Sequence, residues 1–132
     1  YVNVRYRYAI CYPSDLLKAE PESPDSDGRT FDGGSGAELS VFGRNNVQNL
    51  SLAATVSRDA AEMAGRGGQV TYRAGKNDWA VYSGRSADTV FYSKTLKRGD
   101  QFLIFQLKYP QAQAGLYGPI AGRLAQCFAL TH

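Results

Sequence analysis

At 132 residues, with fifteen basic and twelve acidic side chains and a formal charge of +3, the chain has the length of one domain, burying roughly two-thirds of its unfolded surface without help from a metal or disulfide. So small a charge excludes the concentrated Lys/Arg stripe of a nucleic-acid binder, and the lack of any eighteen-residue apolar run excludes a membrane-spanning helix. The charge is unevenly placed: residues 15–38 carry Lys18 and Arg29 against Asp15, Glu20, Glu22, Asp25, Asp27, Asp32 and Glu38, a balance of −5, whereas residues 39–132 carry eleven basic and five acidic residues, a balance of +6.

In chain order, YVNVRYRYAICYP alternates, with Tyr8, Ile10 and Tyr12 on one face and Ala9 and Cys11 on the other until Pro13 ends the run. This predicts a short strand, a tight turn near Arg5 to Arg7, and a second strand. Residues 18–28, KAEPESPDSDG, read as a polar surface loop, because Pro21 and Pro24 forbid a regular helix. GRTFDG predicts a short strand, GGSG a flexible turn, and AELSVFG another strand with Leu39 and Val41 on one face and Phe42 on the other.

From an N-cap at Asn49 or Ser51, a helix is expected through SLAATVSRDAAEMAG. Leu52, Val56, Ala60 and Met63 recur at helical spacing, Arg58 and Glu62 are placed to pair, and Gly65 to Gly68 stop it. QVTYRAG, DWAVYSGR, TVFYSKTL and QFLIFQLKYP then follow, joined by GKND, RSAD and KRGD turns. Connections this short join only adjacent antiparallel strands, so residues 69–109 form a meander. In its last strand Leu103, Phe105, Leu107 and Tyr109 face one side while Phe102 and Ile104 face the other, so either both faces are covered or one presents a binding patch. A final helix is expected in PIAGRLAQCFAL, with Pro119 at its first position and Ile120, Leu124, Cys127 and Phe128 as one stripe. The sum is a single α+β domain over residues 1–132: an antiparallel sheet of about six or seven strands flanked by two helices.

Chemistry-bearing residues are sparse. The only imidazole is the terminal His132, which argues against nucleophilic triads and His/Cys metal sites. Asp25 and Asp27 in a Gly-containing loop, with Asp32 nearby, leave room for a weak oxygen-ligated cation, but DSDGRTFD lacks the EF-hand order and turn chemistry explains it equally well. GGSG and GRGG do not open helices, so neither is a phosphate cradle. Asp78, Asp88 and Asp100 are the carboxylates that would have to converge in a hydrolase, although each sits in a turn where Asp is favoured locally. No cofactor is called for. Trp79 and Tyr117 are the aromatics expected to be partly exposed. Cys11 and Cys127 read either as buried free thiols, the reading favoured by the apolar helical face of Cys127, or as a disulfide if the chain is exported.

Several segments resemble a known group: NVRYRYAICYPSDLL, DSDGRTF with AELSVFG, WAVYSGR with FYSK, KYP, and the closing YGPIAGRLAQCF. Together they are similar to a mostly proteobacterial family of small exported domains of unassigned function, whose members open with a phrase like NxRFGYxIxYPxDLL and close with YDPVVxRIxxSF. Arg7 replaces the usual Gly of that phrase, a change in the turn, and Gly118 replaces an Asp that would cap the final helix. More distantly, the order of elements is similar to the PsbP and Ran-binding Mog group, which includes DcrB-like proteins. The resemblance implies a PsbP/Mog-like sandwich and non-enzymatic roles such as assembling a photosystem, binding a GTPase, or chaperoning or neutralising secreted effectors.

The expected function is therefore that of a periplasmic or otherwise exported bacterial protein-binding module of accessory, chaperone or immunity type. Its partner is another protein, with neither nucleic acid nor membrane insertion involved. The start at Tyr1 is expected of a trimmed chain or of a mature form whose leader or lipid anchor has been removed. The candidate contacts are the acidic loop and nearby aromatics: Glu22, Asp25, Asp27, Asp32, Trp79 and Tyr117. The alternatives are a carboxylate- or cation-dependent hydrolase, and a small-ligand carrier with a pocket between sheet and helix.

Overall fold

In the computed structural model, which describes residues 1–132, the opening alternation forms β1 (Val2–Asn3) and β2 (Tyr8–Ala9) around the expected turn. Arg7, which stands where the resembling family has Gly, takes φ +57°, a left-handed conformation that costs a non-glycine residue roughly 1 kcal/mol. Its carbonyl accepts from Thr131 N at 2.8 Å, so the turn is held in spite of the strain. The polar segment expected to be wholly loop begins with β3 (Lys18–Ala19), whose two residues pair with β4 (Gly28–Gly34). β4 pairs in turn with β5 (Ala37–Asn45).

Helix α1 (Leu52–Ala64) starts at Ser51, whose Oγ accepts from Ala54 N at 3.1 Å, and stops at Gly65 with φ +62°. Ser51 is thus the cap rather than Asn49, because only its side chain reaches the free amides of the first turn. Arg58 is turned back to Gln48 rather than forward to Glu62. The meander appears as expected: β6 (Gln69–Gly75), β7 (Trp79–Ser86), β8 (Thr89–Arg98) and β9 (Gln101–Pro110).

The last helix differs from expectation at its start. After a 3-10 turn (Gln111–Gln113), α2 runs Ala114–Cys127, so Pro119 lies inside it and not at its first position. Pro119 removes one backbone hydrogen bond, the one that would return to Gly115 O. Gly118 is likewise interior, so an Asp at this position would not cap the helix. Beyond it, β10 (Ala129–Leu130) returns to β2.

The long strands form one antiparallel seven-stranded sheet in the order β3-β4-β5-β9-β8-β7-β6, and β1, β2 and β10 form a separate three-stranded sheet. This α+β architecture matches the expected fold class, with the small sheet added. β9, between β5 and β8, buries residues on both faces. Leu103, Phe105, Leu107 and Tyr109 meet Leu39, Val41, Tyr117, Ala121, Leu124 and Phe128, together with Tyr6, Tyr8 and Ile10 of the N-terminal hairpin. On the opposite face Phe102 and Ile104 meet Tyr82, Phe91 and the α1 side chains Leu52, Val56, Ala60 and Ala64. Each fully buried large apolar side chain in these clusters contributes roughly 1.5–3 kcal/mol.

Cys11 and Cys127 are joined as a disulfide across 116 residues, and no free thiol remains. The expectation of buried thiols fails because Cys127 is the last residue of α2 and sits at its half-exposed edge, opposite the chain leaving β2. For a loop of this length the chain-entropy model assigns about 5 kcal/mol to the link.

Two stability outcomes follow from this packing. Replacing both Cys11 and Cys127 by Ser lowers the unfolding free energy by about 2–5 kcal/mol, as read by urea denaturation, and reductant lowers the wild-type midpoint to that of the double variant. Gly43→Ala places a Cβ against the ring of Tyr6 and costs about 1–3 kcal/mol; a midpoint unchanged in urea would show that the Tyr6 ring moves aside freely.

Candidate functional site

In a sheet whose strands are in register, side chains at one level on neighbouring strands form a lateral row. One such row on the α1 face is polar across five strands: Tyr82, Ser93, Gln106, Ser40 and Thr30, on β7, β8, β9, β5 and β4 respectively. Helix α1 packs over β6, β7 and β8 and meets Phe102 and Ile104 on β9, and beyond them it touches β5 only at the end of the strand, where Phe42 joins its cluster and Arg44 pairs with Asp59. The row is therefore cut in two. Tyr82 and Ser93 are fully buried, whereas Gln106, Ser40 and Thr30 are half-buried and face solvent.

Rows on either side complete the open half. Towards one end lie the exposed Lys108, Glu38 and Asp32, which neighbour one another on β9, β5 and β4. Towards the other lies Phe42, half-buried beside Ile104. The loop between β3 and β4 stands over this surface and makes a hollow of about 290 Å³, lined by Glu20, Ser23, Asp27, Thr30, Ser40 and Gln106 among others. Donors and acceptors thus face outward from a hydrogen-bonded sheet with one aromatic edge. Such a surface suits macromolecular recognition through hydrogen bonds around an apolar anchor.

The acidic loop is built by contacts distant in sequence. Within it, Ser23 N donates to Gly28 O and Ser26 N to Ser23 O, both at 2.9 Å, while the Ser23 hydroxyl donates to the Asp27 carboxylate. The N-terminal hairpin then fastens it from outside. Asn3, fully buried, donates through Nδ2 to Ser26 O (2.9 Å) and to Tyr1 Oη (2.8 Å), and its Oδ1 accepts from Tyr6 N (2.8 Å). The Arg5 guanidinium donates to Asp25 O, and Tyr8 Oη to Asp27 O at 3.0 Å. Burial pushes the Tyr8 phenol far above its ordinary range, aided by Tyr1, Glu22 and Asp27, so it remains a donor.

The six residues singled out from the sequence separate into four places. Glu22 is half-buried and accepts from Tyr1 Oη at 3.0 Å, Asp25 is exposed at the loop tip, and Asp27 lines the hollow with its carboxylate held by Ser23. Asp32 lies at the edge of the open half, where its Oδ1 accepts from Gly34 N at 2.9 Å. Trp79 is on the other face, half-buried, with the Lys94 ammonium 5.8 Å from its ring. Tyr117, expected to be partly exposed, is 2% exposed and stacks on Tyr109 at 5.5 Å. It is buried because α2 begins earlier than expected and turns this residue onto the sheet.

No group of three His, Cys, Asp or Glu side chains is placed to hold a metal ion, so Asp25 and Asp27 gain no third ligand. Nor do Asp78, Asp88 and Asp100 converge. Asp88 is in the β7–β8 turn, separated by the ten residues of β8 from the end where Asp78 and Asp100 lie, about 30 Å along a strand. Sequence reasoning missed Thr30, Ser40, Phe42 and Gln106. Their signal was the polar phase of the alternation, as in Ser40 between Leu39 and Val41 and Gln106 between Phe105 and Leu107.

Because Asn3 satisfies three groups at once, Asn3→Ala strips partners from the Tyr6 amide and the Ser26 carbonyl. The expected loss is about 2–4 kcal/mol in chemical denaturation, together with faster proteolysis within residues 20–28. Cleavage there at the wild-type rate would separate the hairpin from the loop.

No protein-family model and no curated protein matches the chain. Among solved structures it is similar to the solution structure of cyanobacterial PsbP (CyanoP) from Synechocystis sp. PCC 6803, with a TM-score of 0.71 at 12% identity over 98% of this chain and 90% of that one. The fold is PsbP-like.

Proposed function

We propose that the protein is a non-enzymatic binding module that works outside the bacterial cytoplasm and captures another protein, in an accessory, chaperone or immunity-type role. The observation that carries this reading is the half of the α1 face left uncovered, polar across β4, β5 and β9 and walled by an acidic loop that the N-terminal hairpin holds in shape. A partner seated there buries Phe42 as the apolar anchor and meets Thr30, Ser40 and Gln106 as fixed hydrogen-bonding groups. Glu20, Glu22 and Asp25 at the rim steer a basic partner and raise its association rate.

The disulfide supports an oxidising compartment, since such links persist in exported proteins and are rare in the cytosol. The likeness of the opening and closing phrases to the exported proteobacterial family points the same way. Both sulfurs are engaged, the single His132 is exposed at the terminus, and the turn carboxylates are dispersed, which weighs against acyl-transfer and paired-carboxylate chemistry. A second reading, a carrier of small apolar anions, is favoured by one observation: a cleft of about 350 Å³ beside the disulfide, lined by Tyr12, Pro119, Ile120 and Leu124 with Arg123 at its rim.

The test is capture from the envelope fraction of the source organism with the tagged chain as bait, followed by titration of the retained protein against variants. Ser40→Arg, in the middle of the open half, is expected to weaken binding at least tenfold. Asp25→Lys should weaken it a few-fold with a smaller salt dependence, and Tyr72→Arg, on the far edge strand, should leave it unchanged. Recovery of no stoichiometric partner, or a partner indifferent to Ser40→Arg, would remove the open half as the binding surface.

A further inference from the structure

A second, smaller hollow of about 180 Å³ lies where the end of β5 meets the first turns of α1, on the far side of Phe42 from the acidic loop. Its lining includes Arg44, Asn46, Gln48, Thr55, Arg58 and Phe102, with two guanidiniums and no carboxylate. Arg44 is set in place by the buried Asp59: a single nitrogen, Nη2, donates to both carboxylate oxygens at 3.0 and 2.8 Å. Its Nη1 and Nε are left for another acceptor. Arg58 arrives from the helix, steadied by one hydrogen bond from Nη1 to Gln48 Oε1 at 2.5 Å. Asn46 closes the intervening loop, its side chain bonding both the amide and the carbonyl of Leu50 at 2.9 and 2.8 Å.

The decisive group is Thr55. It is 1% exposed, and its hydroxyl has no hydrogen-bond partner. A threonine inside a helix ordinarily satisfies itself on the carbonyl four residues back, and this one does not. An unpaired buried hydroxyl is destabilising unless a bound group completes it. Donors thus arrive from a strand and a helix, with no anionic side chain lining the hollow.

We propose that this hollow binds a small tetrahedral oxyanion of the phosphate class, held by Arg44, Arg58 and the Thr55 hydroxyl. Guanidiniums supply charge-assisted hydrogen bonds matched to phosphate oxygens. Donors spread around a hollow fit a tetrahedral anion better than a planar carboxylate. Binding ties β5, the loop at 46–50 and α1 together. The site stands independently of the protein-binding surface.

The experiment is a titration of the labelled, oxidised protein followed by backbone and arginine side-chain NMR, at an ionic strength held constant with chloride. The probes are inorganic phosphate and, in parallel, glycerol phosphate as a headgroup fragment. The expected result is saturable shifts centred on Arg44, Thr55 and Arg58 with millimolar or tighter affinity. Arg58→Gln should weaken it at least tenfold, and Thr55→Val several-fold, with the fold retained in the reference spectrum. Tighter binding of glycerol phosphate assigns the site to a headgroup-type ester, and tighter binding of inorganic phosphate assigns it to the free ion. Non-saturating shifts scattered over the basic surface, or an affinity unchanged in both variants, would overturn the proposal.

Discussion

Strand β9 buries large apolar side chains on both faces, and that single demand organises the molecule. A strand of this kind needs a neighbour on each edge and a covering layer above and below. β5 and β8 supply the edges, and α2 with the N-terminal hairpin covers one face. The other face has only α1, thirteen residues long, a rod about 10 Å wide laid on a sheet about 29 Å across. One helix cannot cover that width. It lies over the β6–β8 side and touches β5 only at Phe42 and Arg44, so most of the β3–β5 side stays bare. Side chains there are polar because an apolar surface of that extent would promote aggregation, so the open half-sheet is a geometric consequence of having one helix on that face.

The same shortage of covering elements explains the work done by the first eight residues. The small sheet is too short to stand alone, since β1, β2 and β10 have two residues each and an isolated ribbon of that size is marginal in water. Three attachments hold it: Tyr6, Tyr8 and Ile10 in the core, Asn3, Arg5 and Tyr8 on the acidic loop, and the disulfide from Cys11 to the end of α2. The covering layer and the rim of the candidate site are therefore mechanically one unit. Loosening the hairpin uncovers β9 and frees the loop together.

Much of the scaffold was legible from local pattern. The meander, the two-sided β9 and the body of α1 follow from alternation, turn length and helical spacing, each confined to a window of about ten residues. What was not legible depended on partners distant in sequence. Pro119 reads as a helix start, yet α2 begins at Ala114, directly after the 3-10 turn that follows Pro110, which also buries Tyr117. The Asp and Glu of residues 20–32 read as a free solvated loop because their anchors, Asn3, Arg5 and Tyr8, lie about twenty residues away and look like strand residues. Ser40 and Gln106 carry no signal of their own. They become a surface only once register brings β4, β5 and β9 level and α1 stops short of them.

Strand β5 gives this face its direction. Its residues on the open side run Glu38, Ser40, Phe42, Arg44: a carboxylate, a hydroxyl, an aromatic ring and a guanidinium in sequence, spread over about 20 Å at strand spacing. The acidic loop extends the negative end, and the donor-lined hollow beside α1 extends the positive one. In the proposed binding role, a partner laid across β5 would meet opposite charge at its two ends and an apolar anchor between them, so reversing it would set like charge against like at both ends. That asymmetry selects one docking orientation even where each exposed charge contributes little affinity alone.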